Sequence, residues 1–353
     1  MRVLLTGHNG FIGSVMWPML KAAGHDVVGL DTYLFESCAF GDAQPDLPSL
    51  RMDLRDITAR QLQGFDAVIH LAALSNDPLG NVNAECTYAI NHHASVRLAE
   101  MAKVSRVPRF LFASSCSLYG VAGGAILAED AAFNPVTPYA RSKVLVEQRL
   151  SGLADDGFSP TFMRNATAYG VSPRLRADVV VNNLVGFAVT TGVVLSQSDG
   201  TPWRPLVHVE DIGGAFLAAL HAPREVVHNQ AFNVGVSSES YQIRDVTDMV
   251  LEAIPGTTVR YAEGAGPDPR CYRVDCSKIA ETLPDFRPQW TVRRGIEQLR
   301  AAFERHGLDY SELTTKYIRL KHILALQAEG RLDDELRWRE RLEGAVALKE
   351  ARA

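Results

Sequence analysis

An α/β fold on a doubly wound parallel sheet is what this sequence predicts, from three observations. Short runs rich in β-formers, Arg2–Leu5, Asp26–Leu30, Ala67–Leu71, Arg109–Ala113 and Ser159–Met163, alternate with stretches of helical spacing. The first run leads straight into Gly7, Gly10 and Gly13. Glycines at such a bend let the backbone touch a pyrophosphate, and the helix that follows offers free N–H groups and a partial positive charge. The second run ends on Asp31, eighteen residues past Gly13, where a carboxylate can accept hydrogen bonds from ribose hydroxyls. Together these describe a Rossmann-type dinucleotide cradle. Because Asp31 would repel a 2′-phosphate, NAD is expected over NADP.

The elements follow in order. Ile12–Ala23, Ala84–Val104 and Tyr139–Leu153 carry apolar residues at helical spacing, with Gly24 placed to stop the first. After Arg164 the rhythm loosens and Gly and Pro cluster at 170–173, 200–205 and 264–269. The division expected is an NAD-binding domain over 1–165 with a returning segment 205–236, a smaller interleaved substrate lobe over 166–204 and 237–308, and a helical extension over 309–353. Within the extension, Lys316–Leu326 sets Ile318, Leu320, Ile323, Leu324 and Leu326 along one side of a helix, and Arg331–Arg341 follows around Leu332, Leu336 and Trp338. That apolar side must bury against its own domain or extend a homodimer interface. No role in the site is expected of it, since every candidate site residue precedes Asp275.

Composition narrows the function. A chain of 353 residues, 46% hydrophobic, can bury a large core, and a net charge of −5 without a concentrated basic face argues against nucleic acid as a partner. Cys38, Cys86, Cys116, Cys271 and Cys276 are scattered, odd in number and without a Cys-x-x-Cys pair, which argues against a disulfide framework or a metal site. No apolar stretch is long enough to cross a bilayer and the first strand starts at the N-terminus, so a cytoplasmic protein with reduced thiols is expected.

The chemistry centres on Tyr139-Ala-Arg-Ser-Lys143, where two side chains four residues apart share a helix face. A free tyrosine has a pKa near ~10, and an adjacent ammonium favours the phenolate, making Tyr139 a usable proton acceptor. Upstream, Phe110-Leu-Phe-Ala-Ser-Ser-Cys-Ser-Leu-Tyr-Gly120 reads as a strand ending in hydroxyls at the carboxyl edge of the sheet, where such folds bind ligands.

These motifs, in this order over about residues 1–300, resemble the extended short-chain dehydrogenase/reductases, specifically the nucleotide-sugar epimerases and dehydratases. The resemblance implies that the loop Gly7–Gly13, with Asn9, Gly10, Phe11 and Ile12, holds NAD, that Asp31 binds its ribose, and that Asp53 and Leu54 hold its adenine. It likewise implies that Leu71, Ala72 and Ala73 lie beside the nicotinamide ribose, with Asn91 behind the active site. Tyr139 and Lys143 match the catalytic pair, and counting back from Leu118-Tyr-Gly120 puts the catalytic hydroxyl on Ser115. Ser114 and Ser117 read as ordinary loop-facing serines. On the sugar side, Asn182-Asn183-Leu184 and the Trp203-Arg204 segment are similar to those contacting the substrate diphosphate, and a planar guanidinium suits phosphate oxygens.

Departures from the family pattern sharpen the expectation. Thr167 stands where an asparagine is usual, and Ala265 where an arginine is expected; Arg270 or Arg273 can replace that guanidinium, or form a salt-bridged edge strand. The Asp–Glu pair of 4,6-dehydratases is replaced by Cys116 and Ser117, with Cys116 read either as a substrate contact or as a small buried filler. The resemblance therefore implies an NAD-dependent enzyme of a nucleoside-diphosphate sugar, most directly a 4-epimerase acting through a transient keto-sugar. A 4-ketosugar reductase is the alternative. A non-catalytic nucleotide-binding protein is a further one, against which the intact Ser115, Tyr139 and Lys143 argue.

Overall fold

The structure, a computed structural model, describes residues 1–340 apart from 46, 76, 77, 79, 81, 82, 122, 123, 197 and 262–270. Its centre is a seven-stranded sheet of β1 (Arg2–Thr6), β2 (Asp26–Asp31), β3 (Ser49–Arg51), β4 (Ala67–His70), β5 (Arg109–Ser115), β6 (Ser159–Asn165) and β7 (Gln230–Val234). The spatial order is β7-β6-β5-β4-β1-β2-β3, with every pairing parallel. Strand order reverses between β1 and β4, so the crevice above their carboxyl ends is where this topology binds ligands. Strand β3 and the edge strand β7 are too short or too mixed in sequence to stand out, and pairing with a formed sheet supplies what their own pattern does not.

Helices cover both faces. On one, α1 (Gly13–Ala22) and α5 (Val209–His221) bury Met16, Leu20, Ile212 and Phe216 against Val3, Leu5 and Leu111. On the other, α2 (Ala94–Val104) and α3 (Pro138–Ser151) bury Leu98, Val146 and Leu150 against Leu4, Val68 and Phe110. Pro18 removes one amide from α1, and the carbonyl of Ser14, four residues back, accepts from Gln44 Nε2 instead. Gly24, with φ +84°, ends the helix as its sequence position predicts.

The expected helix Ala84–Val104 is interrupted. Residues Ala84–Tyr88 are α-helical, Ala89–His93 form a π-turn, and Ala94–Val104 resume the α-helix. The widened turn holds Asn91, buried, whose amide accepts from the backbone N–H of Leu74 at 2.7 Å and donates to its carbonyl at 3.0 Å.

A second core forms around α4 (Val180–Thr191), α6 (Ile243–Ala253) and α7 (Val292–His306), with Leu184, Val246, Ile296 and Phe303 at its centre. The strand Trp203–His208 runs parallel to Thr167–Tyr169 and antiparallel to Ser240–Gln242. Beyond it, α8 (Arg319–Ala328) packs Ile323 and Leu326 onto Leu34, Leu74 and Cys86 of its own chain. Residues 331–339 are not a helix as expected but a hook, closed by the Leu332–Trp338 bridge and by Leu336 at φ +59°. Residues 341–353 of the expected extension lie outside the described residues.

Candidate active site

One cavity of about 1160 Å³ runs along the carboxyl ends of the strands and into the second core. It lies just above the ~300–1,000 Å³ of an ordinary single-ligand pocket. Gly7, Asn9, Gly10, Phe11, Ile12, Gly13, Asp31, Asp53, Leu54, Leu71, Ala72 and Ala73 all line it, as do Ser115, Tyr139, Lys143, Thr167, Asn183 and Arg204.

Two glycines of the loop leave no room for a side chain. Gly7 has φ +74°, and a Cβ there would lie 2.8 Å from Ala72 N; one on Gly13 would lie 2.1 Å from the Gly7 carbonyl oxygen. This packing brings the loop down on the β4 turn, and Ile12 at the start of α1 brings no side-chain cap, nor is there an acid in the first turn. The helix N-terminus is therefore suited to an anion, which fits the diphosphate of a dinucleotide. Asp31 accepts from Asn9 N at 3.0 Å and from Tyr33 N at 2.7 Å, which fixes its carboxylate at the end of β2. Asp53 caps the turn Leu54–Asp56. Burial pushes its carboxyl up, but hydrogen bonds from the Arg55 side chain and backbone outweigh this and hold it below the usual carboxylate range. His70 at the end of β4 is locked between Thr6 Oγ1 at 2.7 Å and Ser95 Oγ at 2.8 Å, and burial pulls its pKa down to about 3, so it is a neutral strut.

At the centre, β5 delivers Ser115 and α3 delivers Tyr139 and Lys143. Thr137 caps α3, its hydroxyl accepting from Ala140 N at 3.2 Å, and Pro138 opens the first turn, so the helix begins just before the tyrosine. Lys143, 3% exposed, donates to the Ala113 carbonyl at 2.7 Å, and its Nζ lies 5.6 Å from the centre of the Tyr139 ring. Burial pulls the Lys143 pKa down to about 7, against the pull of Glu147 the other way.

Glu147, one turn beyond Lys143, was not read from the sequence as part of the site. It forms a buried ion pair with Arg164 at 2.7 Å and accepts from Ser114 Oγ, tying α3 to β5 and β6. Its spacing of four from Lys143 was the available signal. Ser114 is thus a buried strand residue rather than a loop-facing one, and both it and Ser117 line the cavity.

Three expected contacts are placed differently. Cys116 is fully buried, its thiol donating to the Arg164 carbonyl at 3.0 Å, and burial holds it protonated, so it is the small filler and faces away from the cavity. Asn182 also points inward, accepting from Gly170 N and donating to the carbonyls of Gly170 and Arg176, which leaves its neighbour Asn183 to line the cavity. Asn91 does not line it either and acts through Leu74, which does. Arg270 and Ala265 lie outside the described residues. Arg273 sits in a short strand beside Ile126–Leu127, but in place of the salt bridge of the edge-strand reading its guanidinium lies 4.9 Å from the centre of the Trp203 ring and Nη2 donates to the Gly124 carbonyl at 2.6 Å.

Residues 3–235 match the model of the NAD dependent epimerase/dehydratase family. The chain belongs to this family. A UDP-glucose 4-epimerase of Neisseria gonorrhoeae is 30% identical over 334 residues, 85% of this chain and 95% of that protein. Among solved structures, UDP-glucose 4-epimerase of Thermus thermophilus in complex with NAD has a TM-score of 0.73 and 26% identity, covering 86% of this chain and 99% of that one. MoeE5 in complex with UDP-glucuronic acid and NAD has a TM-score of 0.75 and 27% identity over the same shares. The glycine cradle and Asp31 of this family member fit NAD, its cofactor.

Proposed function

We propose that this protein is an NAD-dependent 4-epimerase of a UDP-sugar. The observation that carries the reading is the meeting of Ser115, Tyr139 and Lys143 in one cavity that the glycine cradle, Asp31 and Arg204 also line. NAD, when bound, supplies a reversible hydride acceptor. Residues 1–165 and 205–236 hold it, and 166–204 with 237–308 hold the sugar nucleotide, whose diphosphate suits Arg204 and Asn183.

Tyr139 takes the proton of the sugar 4-hydroxyl as C4 is oxidised, and returns it to the oxygen when hydrogen is restored on the opposite face. Ser115 Oγ hydrogen-bonds the same oxygen, and Lys143 holds the cofactor ribose while its charge favours the phenolate. Loss of water from the sugar needs a further acid and base. The acids among the described lining residues are Asp31 and Asp53, at the adenosine end, and Asp178, paired with Arg176 at 2.9 Å. None follows Ser115, where Cys116 is turned away, which favours epimerisation over dehydration.

The test is the fate of the C4 hydrogen. UDP-galactose deuterated at C4 should give UDP-glucose that keeps the deuterium at C4, with no NADH released. Stoichiometric NADH release, or a product lighter by one water, overturns the reading. A homodimer in the cytoplasm is part of it, and light scattering should give the mass of two chains.

A further inference from the structure

Residues 319–338 lie beyond the family match, which spans 3–235, yet the cavity reaches them: Arg319 and Leu336 both line it. Arg319 opens α8 and is 3% exposed. Its guanidinium lies 4.0 Å from the centre of the Phe35 ring, and Nη2 donates to the Arg174 carbonyl at 3.0 Å. Nη1 is buried with no hydrogen-bond partner among the described residues. Burial draws its pKa down to about 10, which still leaves a cation at neutral pH. A buried cation with a donor unused carries a desolvation cost that an anion in the cavity would offset. Arg174 also donates from Nε to Asn9, so Arg319 is linked through one residue to the loop that accommodates a diphosphate.

The hook supplies the second contact. Leu336 is 7% exposed and clusters with Leu34, Leu74 and Leu326. Its φ of +59° is a conformation that leucine rarely adopts, so the surroundings must hold it. They do so from the nucleotide-binding half: Trp338 Nε1 donates to the Thr32 carbonyl at 2.7 Å, Arg55 Nη1 to the Glu335 carbonyl at 2.8 Å, and Arg337 pairs with Asp56 at 2.8 Å. Thr32 follows Asp31, and Arg55 is the partner of Asp53, so the hook is fastened beside both acids of the adenosine end.

We propose that residues 319–338 are a working part of the NAD site, with Leu336 walling the adenosine end and Arg319 facing the diphosphate, so that the tail governs how long the cofactor stays bound. The proposal rests on NAD as the cofactor.

The test uses full-length protein and labelled NAD. Wild type should release NAD on unfolding and exchange it slowly. Arg319→Met keeps length and loses charge; Leu336→Gly removes the wall and suits the positive φ. Each should exchange NAD at least ~10-fold faster, the loss expected for one charged or well-packed contact, and Arg319→Lys should lie nearer wild type. Circular dichroism and melting of the NAD-free forms check folding, and if Arg319→Met fails to fold, Leu336→Gly carries the test alone. Wild-type exchange rates in the folded variants overturn the proposal. So does weakened UDP binding in Arg319→Met with unchanged NAD exchange, which would assign the guanidinium to the sugar nucleotide. Wild type that neither carries nor takes up NAD would instead defeat the cofactor reading itself.

Discussion

Around Asp31 and Asp53 the chain commits its charges to itself. Asp53 is held by Arg55, Asp31 by two backbone amides, and leucines from three distant segments, Leu34, Leu74 and Leu336, close the wall. By contrast, Arg204, Asn183 and Thr167 line the cavity from a strand, a helix and a second strand of one lobe. An apolar wall tied down from several directions suits a ligand that stays, whereas polar groups presented by a single lobe suit one that comes and goes. Ser115, Tyr139 and Lys143 line the same cavity, so substitutions in these three groups of residues should separate chemistry, retention and substrate affinity.

The largest effect is expected among the catalytic residues. Tyr139→Phe removes the proton acceptor and should lower turnover by about 10²–10⁴-fold, the range for general acid–base groups, while the NAD released on unfolding stays at the wild-type level. More than a tenth of the wild-type rate would remove Tyr139 from that role. On the sugar side, Arg204→Ala should raise KM by roughly 10–100-fold, as loss of a charged hydrogen bond to phosphate implies, with NAD content unchanged. A fall in NAD content instead would erase the distinction between the two groups. On the cofactor side, Asp31→Ala should narrow the preference for NADH over NADPH in cofactor-stripped protein by about 10-fold, because the carboxylate no longer repels a 2′-phosphate. Wild-type protein preferring NADPH would show the role of Asp31 to be wrong.

The smallest effect concerns stability. Burial holds the Lys143 pKa at about 7, below the ordinary lysine value of ~10.4. Between these values the unfolded chain binds a proton that the folded chain has lost, so this group lowers stability fully below pH 7 and progressively less as pH rises toward ~10. Melting temperatures of the cofactor-free protein should therefore show Lys143→Met gaining most over wild type at and below pH 7, the gain shrinking toward pH 10. A gain that is flat across that range would contradict a depressed lysine.

Sequence alone located the cradle, Asp31 and the helix bearing Tyr139 and Lys143, because each is encoded locally: glycines at a bend, an acid at a strand end, two residues one turn apart. It did not reveal that Asn182 points inward, since which side of an element meets the cavity depends on partners such as Gly170 that fold topology brings together. Asn91 was legible as a residue but not as the cause of a π-turn, which arises from its bonds to Leu74, seventeen positions away. The tail was the least legible. Its apolar side predicts burial, and the partners are Leu34 and Leu74, contacts that no local pattern near residue 320 encodes.

Epimerisation with a retained cofactor is tested most directly when the purified protein, given no added cofactor, is incubated separately with UDP-galactose and UDP-glucose and followed by proton NMR. Both reactions should converge on the same mixture of the two sugars, with no NADH absorbance accumulating. Neither sugar nucleotide converting in protein shown to carry NAD, or conversion only when NADH or NADPH is supplied, would contradict that reading.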